Sequence, residues 1–157
     1  PSFGRVIAYD PFMPAKVWPD WIERAETLEE LFEQSTVVSL HSPLTPETHH
    51  IVNADMLGRM KPGSFIVNAS RGALIDPEAL LDALNSGRIG GAGLDVFEQE
   101  PPDPNDPLLH HPRTMCTPHA AYYSIEADLE GRSRAIQNVI DFNKNGRPNH
   151  VIVEGTR

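Results

Sequence analysis

The stretch Phe65-Ile66-Val67-Asn68-Ala69-Ser70-Arg71-Gly72-Ala73-Leu74-Ile75-Asp76-Pro77-Glu78-Ala79-Leu80-Leu81-Asp82-Ala83-Leu84-Asn85-Ser86-Gly87 reads as strand, turn and helix in succession. Phe65-Ile66-Val67 is a short apolar run of the kind that sits in a buried parallel sheet. Asp76 followed by Pro77 is an N-cap and first-turn pair, Leu80, Leu81 and Leu84 supply one buried stripe, and Gly87 ends the helix. The unit recurs on both sides. Val6-Ile7-Ala8-Tyr9, Val37-Val38-Ser39-Leu40, Leu94-Asp95-Val96 and Met115-Cys116 predict further strands. Thr27 with Glu30 forms a capping box ahead of Leu28, Leu31 and Phe32, and Asn53 caps a short helix through Met60 that Pro62-Gly63 closes. Strands alternating with helices predict an α/β fold built on a doubly wound parallel sheet. The last helix is the longest: Ser124 starts it, Ile125, Leu129, Ile136 and Ile140 line one side, and Gly146 and Pro148 stand at its end. Val151-Ile152-Val153 forms a short apolar tail, and Glu100 to Pro112, with Pro101, Pro102, Pro104 and Pro107, predicts a rigid loop.

The 157 residues are enough for one domain with a real core, and 39% hydrophobic content excludes a wholly disordered chain. A net charge of −9 and the lack of any Lys/Arg cluster argue against a nucleic-acid partner. No apolar run approaches the ~18 residues of a membrane span. A single cysteine, Cys116, cannot form an internal disulfide, which points to a reducing, cytoplasmic setting. The first residue is Pro rather than Met, so a preceding segment is expected.

In an open parallel sheet, ligands bind beyond the carboxyl ends of the strands. The expected strands exit at Asp10, at His41-Ser42-Pro43, at Asn68-Ala69-Ser70-Arg71-Gly72, through Asp95 to Glu98 and Glu100, and at Thr117-Pro118-His119. One rim then collects an arginine, carboxylates and a histidine, the makings of an acid-base site. A carboxylate in the place of Asp10 suits the ribose hydroxyls of NAD and repels a 2′-phosphate. The glycine loop that should precede it by ~20 residues has no room in the nine residues before Asp10. Gly90-Gly91-Ala92-Gly93 is no substitute, because it leads into a strand.

Three ordered motifs carry a resemblance: Val67 to Asp76, Gly93-Leu94-Asp95-Val96-Phe97-Glu98-Gln99-Glu100-Pro101, and Thr117-Pro118-His119-Ala120-Ala121. They resemble the successive signatures of the D-isomer-specific 2-hydroxyacid dehydrogenases, and Leu40 to Thr45 with Thr48 resembles that family's loop after the third strand. The aromatic Tyr122 after the two alanines is nearest to the C-terminal-binding-protein branch. The resemblance implies that Arg71 holds the substrate carboxylate, a task suited to a planar guanidinium. It implies that His119 is the proton donor and acceptor and that Glu100 fixes its tautomer. Formate dehydrogenases are similar but carry Gln in the place of Glu100, so the hydroxy-acid reaction is favoured. Implied NAD contacts are Asp10, Ser42, Pro43, Thr48, Ala69, Ser70, Arg71, Asp95, His119 and Ala121.

On this resemblance residues 1–121 form a Rossmann-like NAD-binding domain, incomplete without its first strand and glycine loop. Residues 122–157 form a helix and tail returning to a substrate domain outside the chain. A small 2-hydroxy or 2-oxo acid is the expected substrate and a homodimer the expected assembly. The 157 residues alone are expected to be unstable or aggregation-prone, to bind no NAD measurably and to be inactive. The second reading is an NAD-sensing interaction protein that recruits partners as a corepressor. Glu98 is a rival to Glu100, and Tyr122 is placed either to stack on substrate or to pack between domains. His49-His50 and His110-His111 are adjacent pairs whose side chains should diverge on extended backbone, so no metal is expected.

Overall fold

The computed structural model describes residues 4–148. It divides into two compact units at the His119/Ala120 junction. In the first unit β1 (Ile7–Ala8) pairs with β2 (Glu23–Arg24), while β3 (Val37–Leu40), β4 (Ser64–Asn68), β5 (Ile89–Leu94) and β6 (Thr114–Cys116) form a separate sheet in the order β3-β4-β5-β6. Every pairing is parallel. Helices α1 (Leu28–Gln34), α2 (Ala54–Arg59), α3 (Pro77–Asn85) and α4 (Pro107–His110) supply the connections.

Strand side chains alternate, and the alternation decides where the core lies. Val38, Leu40, Ile66, Ala92 and Leu94 join Phe32, Met56, Leu57, Leu80 and Leu84 in one buried cluster. Val37 and Phe65 point the other way and are about half exposed. The first unit's helices thus cover one face of its four-stranded sheet.

Helix ends follow short-range chemistry. The Thr27 hydroxyl accepts from Glu30 N and the Asn53 side chain from Met56 N. Asp76 Oδ1 accepts from Glu78 N at 3.0 Å and Ala79 N at 3.3 Å, with Pro77 opening α3. Asp76→Ala strips both amides of their acceptor and should cost about 1 kcal/mol; an unchanged denaturation midpoint would show that the cap contributes nothing.

Three boundaries differ from the sequence expectation. The strand expected at Leu94-Asp95-Val96 is β5, Ile89–Leu94, with Gly90, Gly91 and Gly93 inside it. Neighbouring backbone crowds the first two: a Cβ on Gly90 would lie 2.5 Å from Gly63 O and one on Gly91 3.1 Å from Arg113 O. Strand β2 is two charged residues, Glu23 and Arg24, and shows no apolar run. The proline-rich loop contains α4, capped by Asp106, whose carboxylate accepts from Leu108 N. The Val151-Ile152-Val153 tail lies outside the described residues.

The second unit contains α5 (Ile125–Asn145), capped by Ser124 and closed by Gly146 at φ 72°. Its apolar positions Ile125, Leu129 and Ile136 are exposed. Among the described residues no helix is long and apolar enough to cross a membrane.

Candidate active site

Because β3 to β6 are parallel, their C-terminal ends deliver four loops to one rim. The turn after β4 is built by Asn68, which is buried at the strand end. Its Nδ2 donates to Arg71 O at 2.9 Å and its Oδ1 accepts from Ser70 N at 3.1 Å. This side chain holds the main chain of the turn so that Arg71 is presented outward, exposed, with Nη1 donating to Ser70 O. The Ser70 hydroxyl donates to Ser42 O at 2.6 Å, tying this turn to the loop after β3. In that loop Thr48 Oγ1 donates to Pro43 O at 2.7 Å and accepts from Thr45 N at 2.8 Å. Ala69 is exposed beside Ser70.

Asp95 stands just past β5 as a buried platform. Its amide donates to Asn68 O, its carbonyl accepts from His119 N at 2.8 Å, and its Oδ1 accepts from the Thr117 hydroxyl at 2.5 Å. The bond from its carbonyl holds His119 in the left-handed region, φ 54°, rare for a residue with a Cβ. The ring then meets Glu100: Nδ1 lies 2.8 Å from Oε2, while Oε1 of the same carboxylate accepts from Phe97 N at 3.0 Å. Both side chains stay partly exposed, 46% for His119 and 39% for Glu100.

The Glu100 carboxyl is held below the usual carboxylate range, first by its hydrogen bond to His119, then by the Phe97 amide, with the charge of Arg71 adding to the effect. At neutral pH it is therefore an acceptor only, so Nδ1 of His119 carries the hydrogen and Nε2 is the nitrogen left for proton exchange. A carbon-detected titration of Glu100 should give a pKa below that of an exposed glutamate. His119→Ala should raise it, and an unmoved value would contradict the coupling. Such a depressed carboxyl contributes stability above its unfolded pKa and loses it as pH falls through the folded value.

The other expected residues are placed as follows. Asp10, just past β1, uses Oδ1 to accept from Phe12 N and Met13 N, leaving Oδ2 for another donor. Ala121 is exposed in the second unit, and so is Tyr122. Of the rival carboxylates, Glu100 bonds His119, and Glu98 turns instead to His49 and His50. The expectation that His49 and His50 diverge is corrected: His50 has φ 51°, not extended backbone, and the two rings stack with centroids 3.9 Å apart. His110 and His111 do separate, one bonding Pro104 O and the other accepting from Arg113 N. Half-buried Cys116 has its thiol pushed up by burial, the opposite of an activated nucleophile. Asn68 and Thr117 were not singled out from sequence as positioning groups; a polar residue closing an apolar strand was the available signal.

A carboxylate past β1 and a rim of polar loops at the carboxyl ends of parallel strands are features of a dinucleotide-binding domain. The donor set suits NAD at two places, the ribose hydroxyls at Asp10 and the nicotinamide end at the Asp95 and His119 rim. The chain belongs to the family described as D-isomer specific 2-hydroxyacid dehydrogenase, NAD binding domain, whose model matches residues 3–121. It is 46% identical over 152 residues to a glyoxylate reductase of Korarchaeum cryptofilum (strain OPF8), covering 96% of this chain and 46% of the relative. It is 37% identical over 161 residues to a D-lactate dehydrogenase of Leuconostoc mesenteroides subsp. cremoris, covering 94% and 48%. The NAD-complexed D-isomer specific 2-hydroxyacid dehydrogenase of Lactobacillus delbrueckii ssp. bulgaricus superposes with a TM-score of 0.84 at 28% identity, covering 95% of this chain and 49% of that one. The chain spans about half the length of the curated relatives it matches.

Proposed function

We propose that the whole protein interconverts a small D-2-hydroxy acid and its 2-oxo acid with NAD, as a cytoplasmic homodimer. The observation that carries this reading is the 2.8 Å contact of His119 with an ionised Glu100 on the rim that also presents Arg71. NAD, when bound, receives or supplies the hydride. Arg71 pairs its guanidinium with the substrate carboxylate and so fixes the 2-carbon. His119 Nε2 takes the hydroxyl proton during oxidation and returns it during reduction, and Glu100 stabilises the imidazolium in between. Asp10 would hold the adenosine ribose, with the Ser42 to Thr48 loop, Ala69, Ser70, Asp95 and Ala121 as further contacts. Relatives named as glyoxylate reductase and D-lactate dehydrogenase support a metabolic enzyme over the corepressor reading.

The test is a panel of 2-oxo acids, glyoxylate and pyruvate first, offered with NADH to the purified full-length protein. NADH oxidation with release of the D-product is expected for the chiral cases. Binding of NADH without turnover of any acid on the panel would overturn the reading. Asp10→Ala should narrow the preference for NADH over NADPH, since the carboxylate that opposes a 2′-phosphate is gone; an unchanged ratio would remove Asp10 from the cofactor site.

A further inference from the structure

The loop after β3 and the loop after β5 meet at a second histidine–carboxylate cluster that the reaction does not use. Thr48 N and His49 N both donate to Thr45 O, so the chain turns sharply. His50 N then donates to Ala73 O at 2.8 Å and Val52 N to Leu74 O at 3.0 Å. Between these anchors His50 takes φ 51°; it and His119 are the only non-glycine residues with positive φ among the described residues. Such conformations persist where the surroundings enforce them.

The turn folds the two rings onto each other, 3.9 Å between centroids and 28° between planes, with both Nε2 atoms facing one oxygen. Glu98 Oε1 lies 3.2 Å from His50 Nε2 and 3.6 Å from His49 Nε2. The second distance is beyond hydrogen-bond reach, so His49 is aimed at an oxygen it does not bond. Ligand atoms on a tetrahedral ion with bonds of about 2.0–2.1 Å stand about 3.3 Å apart, and the two measured separations bracket that edge. All three atoms lie within 4.8 Å of one another, the one such group of His, Cys, Asp or Glu found among the described residues.

We propose that His49, His50 and Glu98 form a binding site for a divalent first-row transition cation of the zinc type. Two imidazoles and a carboxylate are a known donor set for such ions, and a poor one for Mg²⁺ or Ca²⁺, which require oxygen ligands. The side chains are 50%, 31% and 41% exposed, so water can complete the coordination. The site is separate from Glu100, whose oxygens are engaged by His119 and Phe97 N.

The test is calorimetric titration of ZnCl₂ into metal-stripped full-length protein purified without a polyhistidine tag, with Co²⁺ absorption as a second readout. One Zn²⁺ per chain with micromolar affinity is expected, together with Co²⁺ d–d bands. His50→Ala and Glu98→Ala should each weaken binding about tenfold or more, since even outer-shell changes at metal sites cost that much. His110→Ala should change nothing. A variant that melts below the parent in EDTA is replaced by His49→Ala, which carries the same expectation. Absence of Zn²⁺ binding, or binding indifferent to these ligand changes, overturns the site. Binding retained in a His119→Gln protein that has lost turnover separates this inference from the proposed reaction.

Discussion

His119→Gln lowers kcat for 2-oxo acid reduction by about 10²–10⁴-fold, the contribution of a positioned general acid-base. Glutamine is the stringent choice, because its amide nitrogen can still donate to Glu100 and keep the loops after β5 and β6 together. What it cannot do is exchange a proton at the position of Nε2. The loss should therefore fall on kcat, with KM for the acid nearly unchanged while Arg71 is intact. Glu100→Gln should show a smaller loss, because the ring keeps its proton-exchanging nitrogen but loses the charge that stabilises the imidazolium. Steady-state kinetics on the full-length protein decide the matter. A His119→Gln enzyme within about tenfold of the parent would remove His119 from the chemistry.

Gly72→Ala is expected to be the most damaging single methyl in the first unit. A Cβ there would lie 1.9 Å from Phe97 C, 2.1 Å from Phe97 O and 2.3 Å from Glu98 N. These are main-chain atoms, so no side-chain rotation relieves them. The loop carrying Arg71 and the loop carrying Glu98 and Glu100 would have to move apart. The cost should reach the upper end of overpacking, about 3 kcal/mol or more, and kcat/KM should fall with it. Gly58 is the internal control: it lies within α2 and a Cβ there meets nothing within 4 Å. Gly58→Ala should therefore gain up to about 1 kcal/mol from helix propensity. Thermal and denaturant unfolding of the two variants should shift in opposite directions, and a Gly72→Ala protein as stable as the parent would contradict the close approach.

Short-range features were legible in the sequence. Thr27, Asn53, Asp76 and Ser124 each act through an amide two or three residues on, so local order sufficed to identify them as caps. Arg71, Glu100 and His119 were readable from sequence as three ordered motifs, whereas the contact between Glu100 and His119 is tertiary. What stayed hidden depended on atoms from distant parts of the chain. Glu98 reaches His50 from 48 positions away, and only a left-handed backbone lets His49 and His50 face it together. The start of β5 was obscured by glycines, whose presence reflects neighbouring backbone rather than strand propensity. Strand β2 has no apolar run to betray it.

The spatial order β3-β4-β5-β6 is also the order of synthesis. Strands β4, β5 and β6 each find their neighbour already made, fewer than about 30 positions upstream, so the closure of each pairing spans a modest loop. The sheet can grow at one edge as the chain leaves the ribosome, without a strand waiting for a distant partner. The loop bearing Arg71 follows β4, the loop bearing Glu100 follows β5, and His119 arrives after β6. The contact between His119 and Glu100 is thus the last at this rim to be assembled.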